Sequence, residues 1–238
     1  MKKKVLVACA ALALSGGAMA QLNIGGKAGL NYSSYGTKVD PEPEEKPEAA
    51  TGIGFHVGAY LEFMFSDKIG IRPELLYSAR KTSDTETNTA TFDFFGTTTT
   101  TKTESDNNTT LSYLEVPILL NYKVNDRFSF QVGPGLGLLM SAKNKFDATT
   151  TTTTTTGGSS TTTTTTSSGD SDSKEGLRGL EIGAVAGINY ELESGLSFGL
   201  RYWRGLSTLN EVTDFGAATV KTNANVLQVS VGYAFLKN

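Results

Sequence analysis

Residues able to do chemistry are few in this chain, and their types and spacing are the first clue to its class. It carries one histidine, His56, and one cysteine, Cys9. An imidazole beside a hydroxyl can serve as general base and nucleophile, and His56 and Ser78 fall on the same side of two neighbouring alternating segments. No nucleophile elbow, phosphate loop or zinc-type spacing accompanies them. His56 therefore reads as a buried hydrogen-bonding group. No catalytic residue, no cofactor and no enzymatic activity are expected. Asp40, Glu42, Glu44, Glu45 and Glu48 could attract a divalent cation, but they lack spaced ligands and a rigid frame. They read as a solvated acidic loop, and no metal is expected. The remaining candidates are eight charges that share one face of the alternation: Lys27, Arg72, Arg80 and Arg201 against Glu62, Glu74, Glu115 and Glu181. Such a set could line an ion pathway or form a structural network. The balance of four against four favours the network, because an unpaired buried charge is costly.

The elements that must position these groups repeat every second residue. Residues 111–142 set the pattern. Leu114, Val116, Ile118, Leu120 and Tyr122 alternate with Tyr113, Glu115, Pro117, Leu119 and Asn121. After a turn at Val124-Asn125-Asp126, Phe128, Phe130, Val132, Pro134, Leu136, Leu138 and Met140 alternate with small and polar residues. A period of two puts each set on one face of a strand. The same reading gives strands over 22–32, 53–65, 69–80, 180–192, 196–203 and 227–235, so eight in all. Ser66-Asp67-Lys68 and Glu193-Ser194-Gly195 read as three-residue turns, the second with glycine in the left-handed position. The first turn sets Phe65 opposite Ile69 and Glu62 opposite Arg72. Pro73, Pro117 and Pro134 each remove a ladder donor, so a bulge or a rim position is expected at each.

Tight turns alternate with four long connections, at 33–51, 81–110, 143–176 and 207–224. The first holds three prolines and five acids and is expected to be irregular. The third has threonine at 149–156 and 161–166 around Gly157-Gly158-Ser159-Ser160. Threonine favours strands, so this tract is either a strand–turn–strand extension of its neighbours or a disordered low-complexity segment.

Residues 1–20 read as a secretory signal peptide: Lys2-Lys3-Lys4, an apolar run from Val5 to Leu14, and Ala18-Met19-Ala20 before the cut. Residues 21–238 form the mature domain. Removing three lysines takes the formal charge from −3 to −6, which argues against a nucleic-acid partner. Apolar runs beyond residue 20 are too short for a helical span, whereas a barrel strand needs only about 9–11 residues with alternate ones apolar.

An eight-stranded up-and-down barrel can turn its apolar face inward around a ligand or outward to lipid. Four features select outward. No charge sits mid-strand on the apolar face, where an Arg or Lys at the bilayer midplane would cost about 2–4 kcal/mol. Glycine crowds the polar face, as a narrow lumen requires. Aromatics gather at strand ends: Phe63, Phe65, Tyr122, Phe128, Tyr190, Phe198, Tyr233 and Phe235 at one, Tyr32, Tyr77 and Tyr202 at the other. The fourth is the export signal. The expected fold is an all-β, eight-stranded antiparallel transmembrane barrel with long Thr-rich extracellular loops. It would lie in the bacterial outer membrane as a monomer with both termini in the periplasm.

Three stretches carry a family resemblance: Arg72-Pro73-Glu74-Leu75-Leu76-Tyr77-Ser78, Tyr113-Leu114-Glu115-Val116-Pro117-Ile118-Leu119-Leu120 and Gly133-Pro134-Gly135-Leu136-Gly137. Together they resemble the PorT-type family of outer-membrane β-barrel domains, over the whole mature chain. The resemblance implies an eight-stranded barrel of Gram-negative bacteria, and its namesake assists a protein-secretion system. The functional expectation is a plugged, non-enzymatic barrel with a structural or interaction role, in contact with lipid and with envelope or secretion proteins. An accessory role in secretion is the second reading, and a narrow channel the third. The chain departs from many barrels in ending Leu236-Lys237-Asn238 after Tyr233-Ala234-Phe235, rather than on a terminal aromatic.

Overall fold

A computed structural model describes residues 21–42, 49–210, 214–215 and 218–236; the segment read as a signal peptide lies outside them. The strands are β1 (Gln21–Asp40), β2 (Ala50–Met64), β3 (Ile69–Phe94), β4 (Thr97–Lys123), β5 (Phe128–Thr156), β6 (Ser159–Asp172), β7 (Leu180–Glu191), β8 (Leu196–Gly205), β9 (Asp214–Phe215) and β10 (Ala218–Leu236). All pairings are antiparallel. The order β1-β2-β3-β4-β5-β7-β8-β10 closes through β1–β10, so an eight-stranded ring has no open edge. β6 pairs with β5, and β9 with β10, outside the ring.

The alternation turns the apolar set outward. Leu30, Ile53, Val132 and Val229 are more than half exposed, while Glu115, Arg80 and Asn31 are fully buried. That inverts a water-soluble protein, where charged groups are almost never fully buried and large apolar patches are rare. A hydrocarbon surround reconciles the two. Tyr32, Leu227 and Tyr202 stand level across three strands near one end of the apolar band. Phe128, Tyr190 and Phe198 stand level near the other.

Turn chemistry sets the register. Phe65 N donates to Ile69 O at 2.8 Å around Ser66-Asp67-Lys68, which places Phe65 opposite Ile69 as the sequence implied. Leu192 N donates to Leu196 O at 2.7 Å, and Gly195 at φ +86° takes the left-handed position. Asn125 Oδ1 accepts from Arg127 N and Phe128 N and closes the remaining short turn.

Three expectations are corrected. The prolines interrupt ladders without shifting register: Tyr60↔Glu74 and Phe63↔Ile71 keep one register across the gap at Pro73, as do Pro117↔Gly135 and Leu120↔Val132 across the next. Pro134 lies inside the continuous β5–β7 register. Shifts occur instead at Ile24/Gly25 and Ser112/Tyr113, leaving Phe235 and Met140 as the extra residues. Second, the first connection is not irregular throughout. β1 continues to Asp40 because β10 supplies a partner from Val226 back to Thr219; residues 43–48 lie outside the described set. Third, the connection 81–110 is a hairpin. β3 runs to Phe94, turns at Phe95 (φ 45°) and Gly96 (φ 77°), and returns along β4 from Thr97. The threonine tract takes the strand–turn–strand alternative, turning at Gly157-Gly158. A span needs about 9–11 residues, so strands of 26, 27 and 29 residues rise well beyond the bilayer. The Thr-rich loops are thus a four-stranded blade built from β3, β4, β5 and β6.

Candidate functional site

An eight-stranded barrel is just wide enough to be filled by side chains, and here the filling is polar. Glycine makes the room. A Cβ on Gly25 would lie 2.3 Å from the Tyr60 ring, and one on Gly135 would lie 2.3 Å from the Trp203 indole. These inward aromatics exist only because the facing strand has no side chain there.

The eight charges are all buried, and they separate into two groups. In one, Glu74 gathers three cations. Arg201 donates to it through Nη1 at 2.6 Å and Nη2 at 2.7 Å, a forked geometry that adds direction as well as energy. Arg72 Nε donates at 3.0 Å and Lys27 Nζ at 3.3 Å. Glu62 lies 4.0 Å from Arg72 and accepts from Asn23 and Asn121 at 2.9 and 2.7 Å. Gln131 Oε1 accepts from Arg201 Nε at 3.0 Å. With all five ionised, three cations against two carboxylates give this group a formal charge of +1.

In the other group, Arg80 bridges two carboxylates. Its Nη2 donates to Glu115 at 2.8 Å and its Nη1 to Glu181 at 2.8 Å. Trp203 Nε1 donates to Glu181 Oε1 at 2.6 Å, and Gln228 Nε2 to Glu115 Oε2 at 3.3 Å. The guanidinium also sits 4.6 Å from the Tyr113 ring centroid, within cation–π range. One cation against two carboxylates leaves this group at −1, so the balance of four and four holds for the pair of groups and not within either.

His56 lies between. Its Nδ1 donates to Asn31 Oδ1 at 2.8 Å, and Asn31 Nδ2 donates to Ser78 Oγ at 2.9 Å. The tautomer follows from the amide, whose oxygen can only accept. Asn31 thus stands between the imidazole and the hydroxyl, and both are buried. The arrangement orients side chains; it presents no nucleophile to a substrate.

Above Arg80 the lumen ends in an apolar cap of Tyr35, Leu111, Leu139, Leu209 and Ala224, with Leu177 packed on it. Leu177 bridges to Asn210, so the segments before β7 and after β8 fold over the opening. A hollow of about 280 Å³ remains at this mouth, just below the usual size of a ligand pocket. Among the described residues, no cluster of His, Cys, Asp or Glu is arranged to hold a metal ion; Glu44, Glu45 and Glu48 of the acidic loop lie outside them. The charged members of the network were legible from their parity. Asn23, Asn31, Asn121, Gln131 and Gln228 were not singled out, although they share that parity. The division into two groups has no signal in the sequence, because it depends on how far each side chain reaches across the lumen.

The model of the outer membrane protein beta-barrel domain family matches residues 17–211. The chain belongs to this family. It is an outer-membrane β-barrel protein. The three motif stretches lie on adjacent strands β3, β4 and β5, and supply Arg72, Glu74, Glu115 and Gly135 to the lumen. Among solved structures, the barrel is similar to Ail, the attachment invasion locus protein of Yersinia pestis, at 13% identity, covering 91% of this chain and 99% of that one, TM-score 0.38. It is similar to Neisserial surface protein A at 13% identity, 89% and 97% coverage and TM-score 0.37. CarO2 of Acinetobacter baumannii follows at 10% identity, 90% and 99% coverage and TM-score 0.37. No curated protein matches the sequence.

Proposed function

We propose that this outer-membrane barrel is a sealed, non-enzymatic holder whose working part is the blade it raises outward. The observation that carries this reading is a contrast in construction. The lumen is filled by ion pairs, Trp203 and an apolar cluster, while β3, β4, β5 and β6 are paired as one sheet over lengths beyond a span. A rigid sheet is ordered in advance of contact, which lowers the entropic cost of binding. In this reading residues 1–20 are a cleaved signal peptide, both termini lie in the periplasm and the blade faces the outside.

The test is capture from native outer membranes after gentle cross-linking. The control variant replaces 84–107 and 146–169 each by Asn-Gly, a turn suited to two-residue hairpins. Partners lost with the blade support the proposal; an unchanged set of partners contradicts it. That second outcome favours the alternative reading, an accessory part in protein secretion like the namesake of the PorT-type family. The resemblance of the three motif stretches is what favours that alternative, with docking through the short turns at 66–68, 125–127 and 193–195.

A further inference from the structure

Charge is placed unevenly on the outer surface of the barrel. Where the strands leave the apolar band toward the blade, the first outward-facing charge is a cation on five of them. These are Lys38 on β1, Lys81 on β3, Lys143 on β5, Arg204 on β8 and Lys221 on β10, and all five are exposed. β4 presents Thr110 and Asn108 before its first outward charge, Asp106. The short turns at the opposite end mix their signs. Asp67 adjoins Lys68, Asp126 adjoins Arg127, and Arg127 pairs with Glu193. A cationic collar thus marks one edge of the apolar band and not the other.

The collar lies at headgroup depth. Tyr77 faces outward, and its hydroxyl donates to Ser112 Oγ at 3.0 Å. An apolar ring with a bonded hydroxyl suits the boundary between hydrocarbon and water. Lys81 lies four residues farther along β3. At ~3.4 Å per residue on a strand tilted by ~40°, it stands ~10 Å above Tyr77, among lipid headgroups.

The most complete donor set spans β3, β4 and β5. Lys81, Thr110 and Lys143 share one row on the outward face. The two lysines are two strands apart, ~10 Å, and flexible four-carbon stems let both ammonium groups meet over Thr110. In the next outward row, Asn108 Oδ1 accepts from Ser83 Oγ at 2.7 Å. Its amide nitrogen is then the group left to donate. Two ammonium groups, a hydroxyl and an amide N–H are donors suited to a phosphate. The nearest acids stand to one side: Asp172 lies beyond Lys143 on β6, and Asp170 pairs with Lys145 at 3.8 Å.

We propose that Lys81, Thr110 and Lys143 hold a phosphate on the headgroup of an outer-leaflet glycolipid, with the rest of the collar facing neighbouring headgroups. A lipid is selected over a soluble anion by what lies below the row. Tyr77 and Leu138 are exposed there on the same face, so acyl chain and phosphate are met together. Lys38 and Lys221 stand directly opposite each other across the β1–β10 ladder, and like charges so placed disfavour the strand pair unless an anion lies over them. The inference rests on the reading that the blade faces outward, and it names the lipid that the barrel's outer edge meets.

The test uses the full chain, folded in phosphatidylcholine bilayers that carry lipid A and then extracted gently. Native mass spectrometry reads the lipid retained. Wild type should keep lipid A and should not keep lipid A stripped of its phosphates. Lys81→Gln combined with Lys143→Gln should retain about tenfold less. Lys81→Arg combined with Lys143→Arg, and the distant Lys102→Gln, should retain it like wild type. The heat-dependent gel shift of the folded barrel should persist in every variant. Equal retention by wild type and the double Gln variant, or of lipid A with and without phosphate, overturns the site. Full displacement of lipid A by equimolar inorganic polyphosphate makes the occupant a soluble anion, and the proposal falls. Retention in bilayers does not depend on which way the barrel faces in the cell, so orientation is read separately. A Thr91→Cys blade variant with Cys9→Ser should react with an impermeant maleimide on intact cells. Its failure to react would sink the outward blade and the outer-leaflet occupant together. Equal lipid retention alongside a reactive Thr91→Cys would sink this inference alone and leave the proposed function standing.

Discussion

Glu74 is the residue on which most of the lumen depends. It accepts from Arg201, Arg72 and Lys27 at once. Glu74→Gln would leave three buried cations with only Glu62 nearby, 4.0 Å from Arg72. Breaking a buried pair by removing one partner costs about 3–5 kcal/mol. The variant should therefore unfold at clearly lower urea in an unboiled-gel titration. Glu193→Gln removes an ion pair to Arg127 in which both side chains are more than half exposed. Solvent screens such pairs, and its midpoint should match wild type. At this scale the sequence was informative about which groups point inward, since parity alone assigns all eight charges. It was silent on partners. Arg80 reaches Glu181, 101 positions away, and Arg201 reaches Glu74, 127 positions away, and no local pattern encodes a contact across a closed ring.

Strands in this protein are shaped by what faces them. Gly135 lies against Trp203, and a Cβ there would sit 2.3 Å from the indole. Gly135→Val should destabilise the barrel by about 1–3 kcal/mol, the usual cost of overpacking. In a Trp203→Leu background the same change should cost much less, and a double-mutant cycle on unfolding midpoints reads the difference. The outward neighbour Leu136→Val should be close to neutral. The blade makes a second prediction at this scale. Residues 97–110 and 143–156 pair on both sides, so their amides should exchange slowly throughout. Among the described residues β6 has one partner strand, so protection along 159–172 should alternate from residue to residue. Uniformly fast exchange over 149–166 would contradict the hairpin. The barrel strands and both three-residue turns were readable because period-two patterning and turn glycine are local signals. The extension of β3 and β4 was not: apart from Ala90 and the phenylalanines at 92, 94 and 95, Lys81 to Thr110 is polar on both faces, and polarity alone does not separate a solvated strand from a loop. Pairing with β5 decides it. The proline expectation failed for a related reason. Losing one donor opens a gap in the ladder, while neighbouring pairs on both sides hold the register.

The whole molecule joins a closed ring to a sheet that outgrows it. The ring was legible from an even strand count and alternating short and long connections. The blade's height was not, because it follows from three strands staying paired beyond the membrane. The formal charges of the two groups, +1 and −1, cancel, and Trp203 is 1% exposed. In the proposed reading, a lumen filled in this way does not conduct. The central claim is that the barrel is sealed and acts through what it carries outward. Planar-bilayer recording of the purified full chain tests this most directly. The account predicts no stable unitary conductance in wild type. Reproducible single-channel steps, with an ion selectivity that shifts in Glu74→Gln, would contradict it.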